Sequence, residues 1–197
     1  MTAAIPSAEA CLLLMDRYGM LPNIKAHSLQ VARVALFLAE GLKPFFPELD
    51  LALVEAGALL HDIAKTETIR NRGNHAQQGE EMLKDLGYQA VAPIVGQHVR
   101  LGEEYFQGPR IDEVVLVHYA DKRVRHDEIV DLKERFDYLF ETYGRTPEAT
   151  ARIEALYKQT LEVEAWIFQY LPFAPQDLPA LMAGHPEKPS LKKTDRS

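Results

Sequence analysis

Residues 51–65 read Leu-Ala-Leu-Val-Glu-Ala-Gly-Ala-Leu-Leu-His-Asp-Ile-Ala-Lys, and this stretch decides the fold. Only Glu55 interrupts the apolar residues before His61, so the segment is hydrophobic on nearly every face and reads as a buried central helix. Such a helix needs a shell of amphipathic partners, and the flanking sequence supplies them. Upstream, Ser7 is an N-cap for a helix to about Tyr18, ended by Gly19. A second helix starts after Pro22 and reaches Gly41 with Val31, Val34 and Leu38 on one stripe, before Pro44 and Pro47 break the chain. Downstream, Thr66 to Gly73 is expected as a polar, basic loop holding Arg70 and Arg72. Asn74 caps a helix from His75 to Leu86, closed by Gly87, and a short helix follows to about Val99. Gly102 to Arg110 reads as a loop, with helices over Ile111 to Arg125, Leu132 to Tyr143 and Pro147 to Tyr170.

No stretch alternates at period two, and no linker or composition shift marks a boundary. The expectation is an all-α fold, one helical domain over residues 1–183, with a disordered tail over 184–197. The chain has 197 residues, 47% hydrophobic and 26% charged, ordinary values for a globular protein. Its 22 basic and 29 acidic residues give a net charge of −7, which argues against wrapping duplex nucleic acid. Small anionic substrates fit if positive charge is concentrated locally. The lone Cys11 allows no internal disulfide. The apolar run Cys11 to Met15 is far too short to span a membrane, so a cytoplasmic protein is expected.

Chemistry then rests on histidines and carboxylates. His27 continues the Val31, Val34, Leu38 stripe, and His61 ends the buried helix. His75 continues the stripe of Gly79, Met82 and Leu86, His98 closes that of Val91, Ile94 and Val95, and Asp121 follows Val114 and Val117. Each sits near a helix end on the side facing the core. A carboxylate in a core is costly unless compensated, and a bound cation is one of the few things that offsets the cost. His126-Asp127, in the polar run Arg123 to Glu128, is a second His-Asp pair with no apolar stripe beneath it, and reads as a solvated surface pair.

The order His27, His61-Asp62, His75, His98, Asp121, with the local text Leu60-His61-Asp62-Ile63-Ala64-Lys65 and Tyr119-Ala120-Asp121-Lys122, resembles the HD-domain metal-dependent phosphohydrolase superfamily. The motif core covers about residues 22–125, with extra helices beyond it. The resemblance implies a helical bundle with a dinuclear site. One metal would take His27, His61, Asp62 and Asp121, the second His75 and His98, with Asp62 bridging. This donor set suits Fe, Mn, Ni, Co or Zn as a divalent ion. The HD-GYP branch carries a Gly-Tyr-Pro element after a paired His-His; here His98 stands alone, and Gly87-Tyr88-Gln89 precedes it. The compact branch that includes symmetric diadenosine-tetraphosphate hydrolases matches better in length and in having all six ligands.

What this resemblance implies is hydrolysis of a phosphate ester of a nucleotide or related small molecule, with hydroxide formed from a water held by the metals. Asp62 and Lys65 are the expected catalytic residues; Lys65 shares a helix face with His61 and Asp62 and would reach the phosphate. Arg70, Arg72, His118 and Lys122 are candidate substrate contacts. Two other readings compete: a di-iron, oxygen-using enzyme on the same scaffold, and a non-catalytic sensor or interaction module. The module would be expected to have lost ligands.

Overall fold

The Asp50 carboxylate accepts hydrogen bonds from the Ala52 and Leu53 amides and so starts the central helix, α3 (Leu51–Leu60). The computed structural model describes residues 4–71 and 73–185. In it α3 buries Val54, Ala56, Gly57, Ala58, Leu59 and Leu60, as its uninterrupted apolar text requires. It packs against α1 (Ala8–Arg17), α2 (Pro22–Leu42), α6 (Ala92–Gln97) and α7 (Glu113–Lys122). The second helix, α2, also packs on α7. Its stripe of Val31, Val34, Ala35 and Leu38 is fully buried, each large aliphatic side chain contributing about 1.5–3 kcal/mol.

The central helix stops at Leu60 rather than Lys65. His61 to Ala64 make a tight turn into α4 (Lys65–Asn71), so a segment expected as a loop is helical. It lacks an apolar stripe because its inward positions are threonines. Thr66 Oγ1 accepts from the Leu21 amide at 3.1 Å, and Thr68 Oγ1 donates to the Lys65 carbonyl at 3.1 Å. Asn74 caps α5 (His75–Asp85), which packs on α4 and α6.

The helix expected to run to Arg125 ends at Lys122. A small antiparallel hairpin follows, β1 (Val124–Arg125) with β2 (Glu128–Ile129), pairing Val124 with Ile129 and Arg125 with Glu128. His126 makes its turn at φ 57°, the left-handed region that non-glycine residues seldom occupy. Beyond lie α8 (Leu132–Tyr143), α9 (Pro147–Phe168) and α10 (Leu178–Ala183), with α8 on α9 and α9 on α7. The hairpin is the one sheet among the described residues, and the fold is all-α. The tail expected from Gly184 lies, from residue 186 on, outside the described residues.

Candidate metal centre

Five helices deliver their ends to one place. His27 comes from the second turn of α2, His61-Asp62 from the turn after α3, and His75 from the first residue of α5. His98 follows α6 directly, and Asp121 is the penultimate residue of α7. All are buried except His75, whose side chain retains 26% of its exposure.

The distances tie the six into one cluster. His27 Nε2 is 2.9 Å and His61 Nε2 3.6 Å from Asp121 Oδ1. His61 Nε2 is also 3.4 Å from Asp62 Oδ2. The other oxygen of Asp62, Oδ1, lies 3.4 Å from His75 Nε2 and 3.5 Å from His98 Nε2. The two carboxylate oxygens of Asp62 therefore face different histidines.

Backbone carbonyls orient the rings. The Nδ1–H of His61 donates to the Ala58 carbonyl at 2.7 Å, that of His98 to Val95 at 2.6 Å, and that of His27 to His126 at 2.8 Å. With Nδ1 held by a carbonyl, each Nε2 is the ring nitrogen turned to the centre, the arrangement a metal ligand needs. His75 Nε2 and His98 Nε2 stand 3.2 Å apart. Burial, then the neighbouring His98, pushes the His75 pKa down to about 4; burial also lowers that of His98. Both imidazoles are thus neutral near pH 7. Burial opposes a charge on His61 too, but Asp62 and Asp121 outweigh it and raise its pKa to about 9.

Burial likewise disfavours ionised Asp62 and Asp121, yet both stay well below the usual carboxylate range. His61 and Lys65 hold Asp62 there, and Lys122, His27 and His61 hold Asp121. Lys65 Nζ is 2.7 Å from Asp62 Oδ2, and Lys122 Nζ is 2.7 Å from Asp121 Oδ2.

His61 Nε2 and Asp62 Oδ1 are buried with no hydrogen-bond partner. Orphaned polar atoms of this kind are expensive and call for an occupant. His27, His61 and Asp121 form one group with ligand atoms within 4.8 Å of one another, and His61, Asp62 and His98 a second. Imidazole nitrogens, carboxylate oxygens and unpaired acceptors fit a divalent transition metal.

The other expected contacts fall differently. Lys65 lies in the cluster at the head of α4, partly exposed. Lys122 is buried, and besides Asp121 its ammonium donates to the His98 carbonyl at 2.8 Å. His118 donates from Nδ1 to that same carbonyl at 2.9 Å, and burial, then Lys122, depresses its pKa to about 3. Both therefore brace the peptide behind His98. Arg70 is exposed in the last turn of α4, and Arg72 lies outside the described residues. The His126-Asp127 side chains are exposed, but the His126 backbone is not idle, since its carbonyl fixes His27. Sequence reading passes over these carbonyls because any residue has one. A signal exists for two of them: Ala58 and Val95 each stand three residues before a histidine of the cluster.

A family model described as HD domain matches residues 24–125, just over half of the chain. The chain is 31% identical over 147 residues to the tRNA (cytidine(56)-2'-O)-methyltransferase of Picrophilus torridus, covering 68% of this chain and 40% of that protein. It is 30% identical over 131 residues to an uncharacterized protein of Methanocaldococcus jannaschii, covering 57% of this chain and 76% of that one. Ribonuclease Y of Treponema pallidum is 35% identical over 88 residues, covering 44% of this chain and 16% of that enzyme. The chain spans well under half the length of the two named enzymes. No solved structure matches it. No helix among the described residues is long and apolar enough to cross a membrane.

Proposed function

The chain belongs to the HD-domain family, and from that premise we propose that it is a hydrolase of phosphate esters, acting on a nucleotide or related small phosphorylated molecule at a dinuclear metal centre. The observation that supports two ions is Asp62, whose Oδ2 faces His61 while Oδ1 faces His75 and His98. His61, Asp62, Asp121 and His27 would hold one cation, and His75 and His98 the other, with Asp62 shared. Bound cations supply polarisation of the phosphoryl oxygens and acidification of water. The protein's own part is to hold six ligands rigidly, keep their lone pairs directed inward, and place positive charge at the rim. Lys65 is the rim residue with most access to substrate: its ammonium sits at the centre while its side chain remains 38% exposed. Charge building on phosphoryl oxygens is best met by such a preorganised cation.

Two of the relatives bear names that point to RNA. The net charge of −7 supports a small substrate for this chain instead, since a net negative protein repels a polyanion. The half-exposed ammonium of Lys65 beside Asp62 supports hydrolysis over oxygen chemistry. The test is a screen of the Mn- or Fe-loaded protein against phosphomonoesters, bis(p-nitrophenyl) phosphate, cyclic nucleotides and dinucleoside polyphosphates. Turnover of at least one class is expected, reduced by about 100-fold in Lys65→Ala with metal retained, the scale of losing one preorganised cation. Oxygen consumption in place of phosphate-ester cleavage would overturn the reading.

A further inference from the structure

A groove of about 500 Å³ lies outside the metal centre, a size typical of small-molecule sites. Val99 and Arg100, the two residues after His98, line it together with Tyr143, the last residue of α8, and Arg152, Ile153 and Leu156 of α9. None of the six candidate metal ligands does.

Two chemistries meet in this lining. The first is apolar: Val99 is 37% and Tyr143 60% exposed, so the fold leaves both in solvent. Ala149, Ile153 and Leu156, spaced by four and three residues, share one face of α9 and give the groove a small, apolar helical side. The second is cationic. Arg100 and Arg152 are exposed, and among the described residues neither makes a hydrogen bond or an ion pair. Glu148, one turn before Arg152, feels its charge without pairing with it. Arg110 and Arg125, by contrast, sit on carboxylates, Arg110 on Asp112 and Arg125 on Glu128 and Glu134. In a chain with 29 acidic and 22 basic residues, two unpaired guanidiniums on one groove are a local excess of positive charge.

A matching ligand carries an anion at one end and a flat apolar body at the other. Guanidinium forks suit phosphoryl oxygens, and an exposed aromatic ring beside an arginine is a stacking surface for a nucleobase. A purely aliphatic anion would leave the Tyr143 ring in water. We propose that this groove is a nucleotide-binding site separate from the metal centre, with the base against Tyr143 and the apolar side of α9 and the phosphate on Arg100 and Arg152. Val99 is bonded directly to His98, whose carbonyl accepts from Lys122 and His118, so the groove adjoins the peptide that carries a candidate metal ligand. The site needs no metal, and it stands independently of whether the centre cleaves phosphate esters.

The test is calorimetric titration of the purified protein with AMP, adenosine and inorganic phosphate. AMP is expected to bind more tightly than either of its parts. Tyr143→Ala and Arg152→Gln should each weaken AMP by about 10-fold, the scale of one stacked base or one charge-assisted hydrogen bond. Tyr143→Phe, which keeps the ring, and Asp62→Ala, which disrupts the centre, should bind AMP with wild-type affinity. Both groove side chains are exposed, so their variants are expected to melt with wild type. Wild-type AMP affinity in both groove variants, with loss in Asp62→Ala, would put the nucleotide at the metal centre; the groove would be overturned and the phosphate-ester reading left standing. No binding of AMP at millimolar concentration would overturn the groove as well, whereas the phosphate-ester reading falls only on its own turnover screen. Tighter binding of an oligoadenylate than of AMP would show a strand-binding surface instead. A doubled mass in light scattering that reverts in Tyr143→Ala would show that a second copy covers the groove, and would likewise overturn the proposal.

Discussion

Two His-Asp pairs occur in the chain, and what lies behind each side chain separates them. His61 and Asp62 are buried and keep unpaired ligand atoms, whereas His126 and Asp127 are exposed and only the His126 carbonyl is used. Asp62→Ala removes an atom group facing three histidines, and the variant is expected to purify without metal. His126→Ala keeps the carbonyl and the left-handed backbone, so metal content should match wild type and stability should change by less than about 1 kcal/mol. Elemental analysis and urea denaturation of the two variants check this, and metal loss in His126→Ala would mean the pairs had been assigned the wrong way round. A different single residue, Cys11, reports on the first helix. Burial, then the Glu55 charge, pushes its thiol up to about 12. At pH 8 the reactive thiolate is therefore scarce, and iodoacetamide should leave the native protein unlabelled while modifying one thiol per chain in urea. Rapid labelling of the native protein would show that α1 opens locally.

Among the elements, α6 has the most exacting position, because His98 extends directly from it. A Cβ on Gly57 of α3 would stand 2.7 Å from Ile94 Cγ2 and 3.2 Å from Ile94 Cβ, closer than a branched side chain can give way. Gly57→Ala is expected to force α6 outward and destabilise the protein by about 1–3 kcal/mol in chemical denaturation; an unchanged midpoint would show that the two helices have slack. The main helices were legible because apolar stripes mark them and Ser7 and Asn74 cap two of them, whereas the caps Asp50 and Asp112 emerge only in the structure. The segment α4 was not, since its inward residues are Thr66 and Thr68, whose hydroxyls find partners only in the folded chain. The hairpin was also missed: two residues per strand give no alternation to read. In the centre itself, the six candidate ligands stand out by residue type and stripe, while the His126 carbonyl that aims His27 depends on chain packing that no local pattern records.

For the molecule as a whole, one buried cation joins the helices that hold the ligands to those that follow. Arg123 is fully buried and donates to the carbonyls of Val130 and Pro175 and to Tyr119 Oη, with Glu164 of α9 at 3.5 Å. Arg123→Ala would leave two carbonyls without this donor and Glu164 without its cation, with the Tyr119 hydroxyl still donating to it. It is expected to cost about 3–5 kcal/mol, read as a lower denaturant midpoint; a loss below about 1 kcal/mol would mean the C-terminal helices stay attached without it. The central claim is that this fold exists to hold metal at the meeting point of five helix ends, and the most direct test is elemental analysis of protein purified without chelating resin or added metal. Close to two equivalents of a divalent transition metal per chain are expected, lost in Asp62→Ala. No metal in the purified protein, and none taken up on incubation with Mn or Fe, would contradict it.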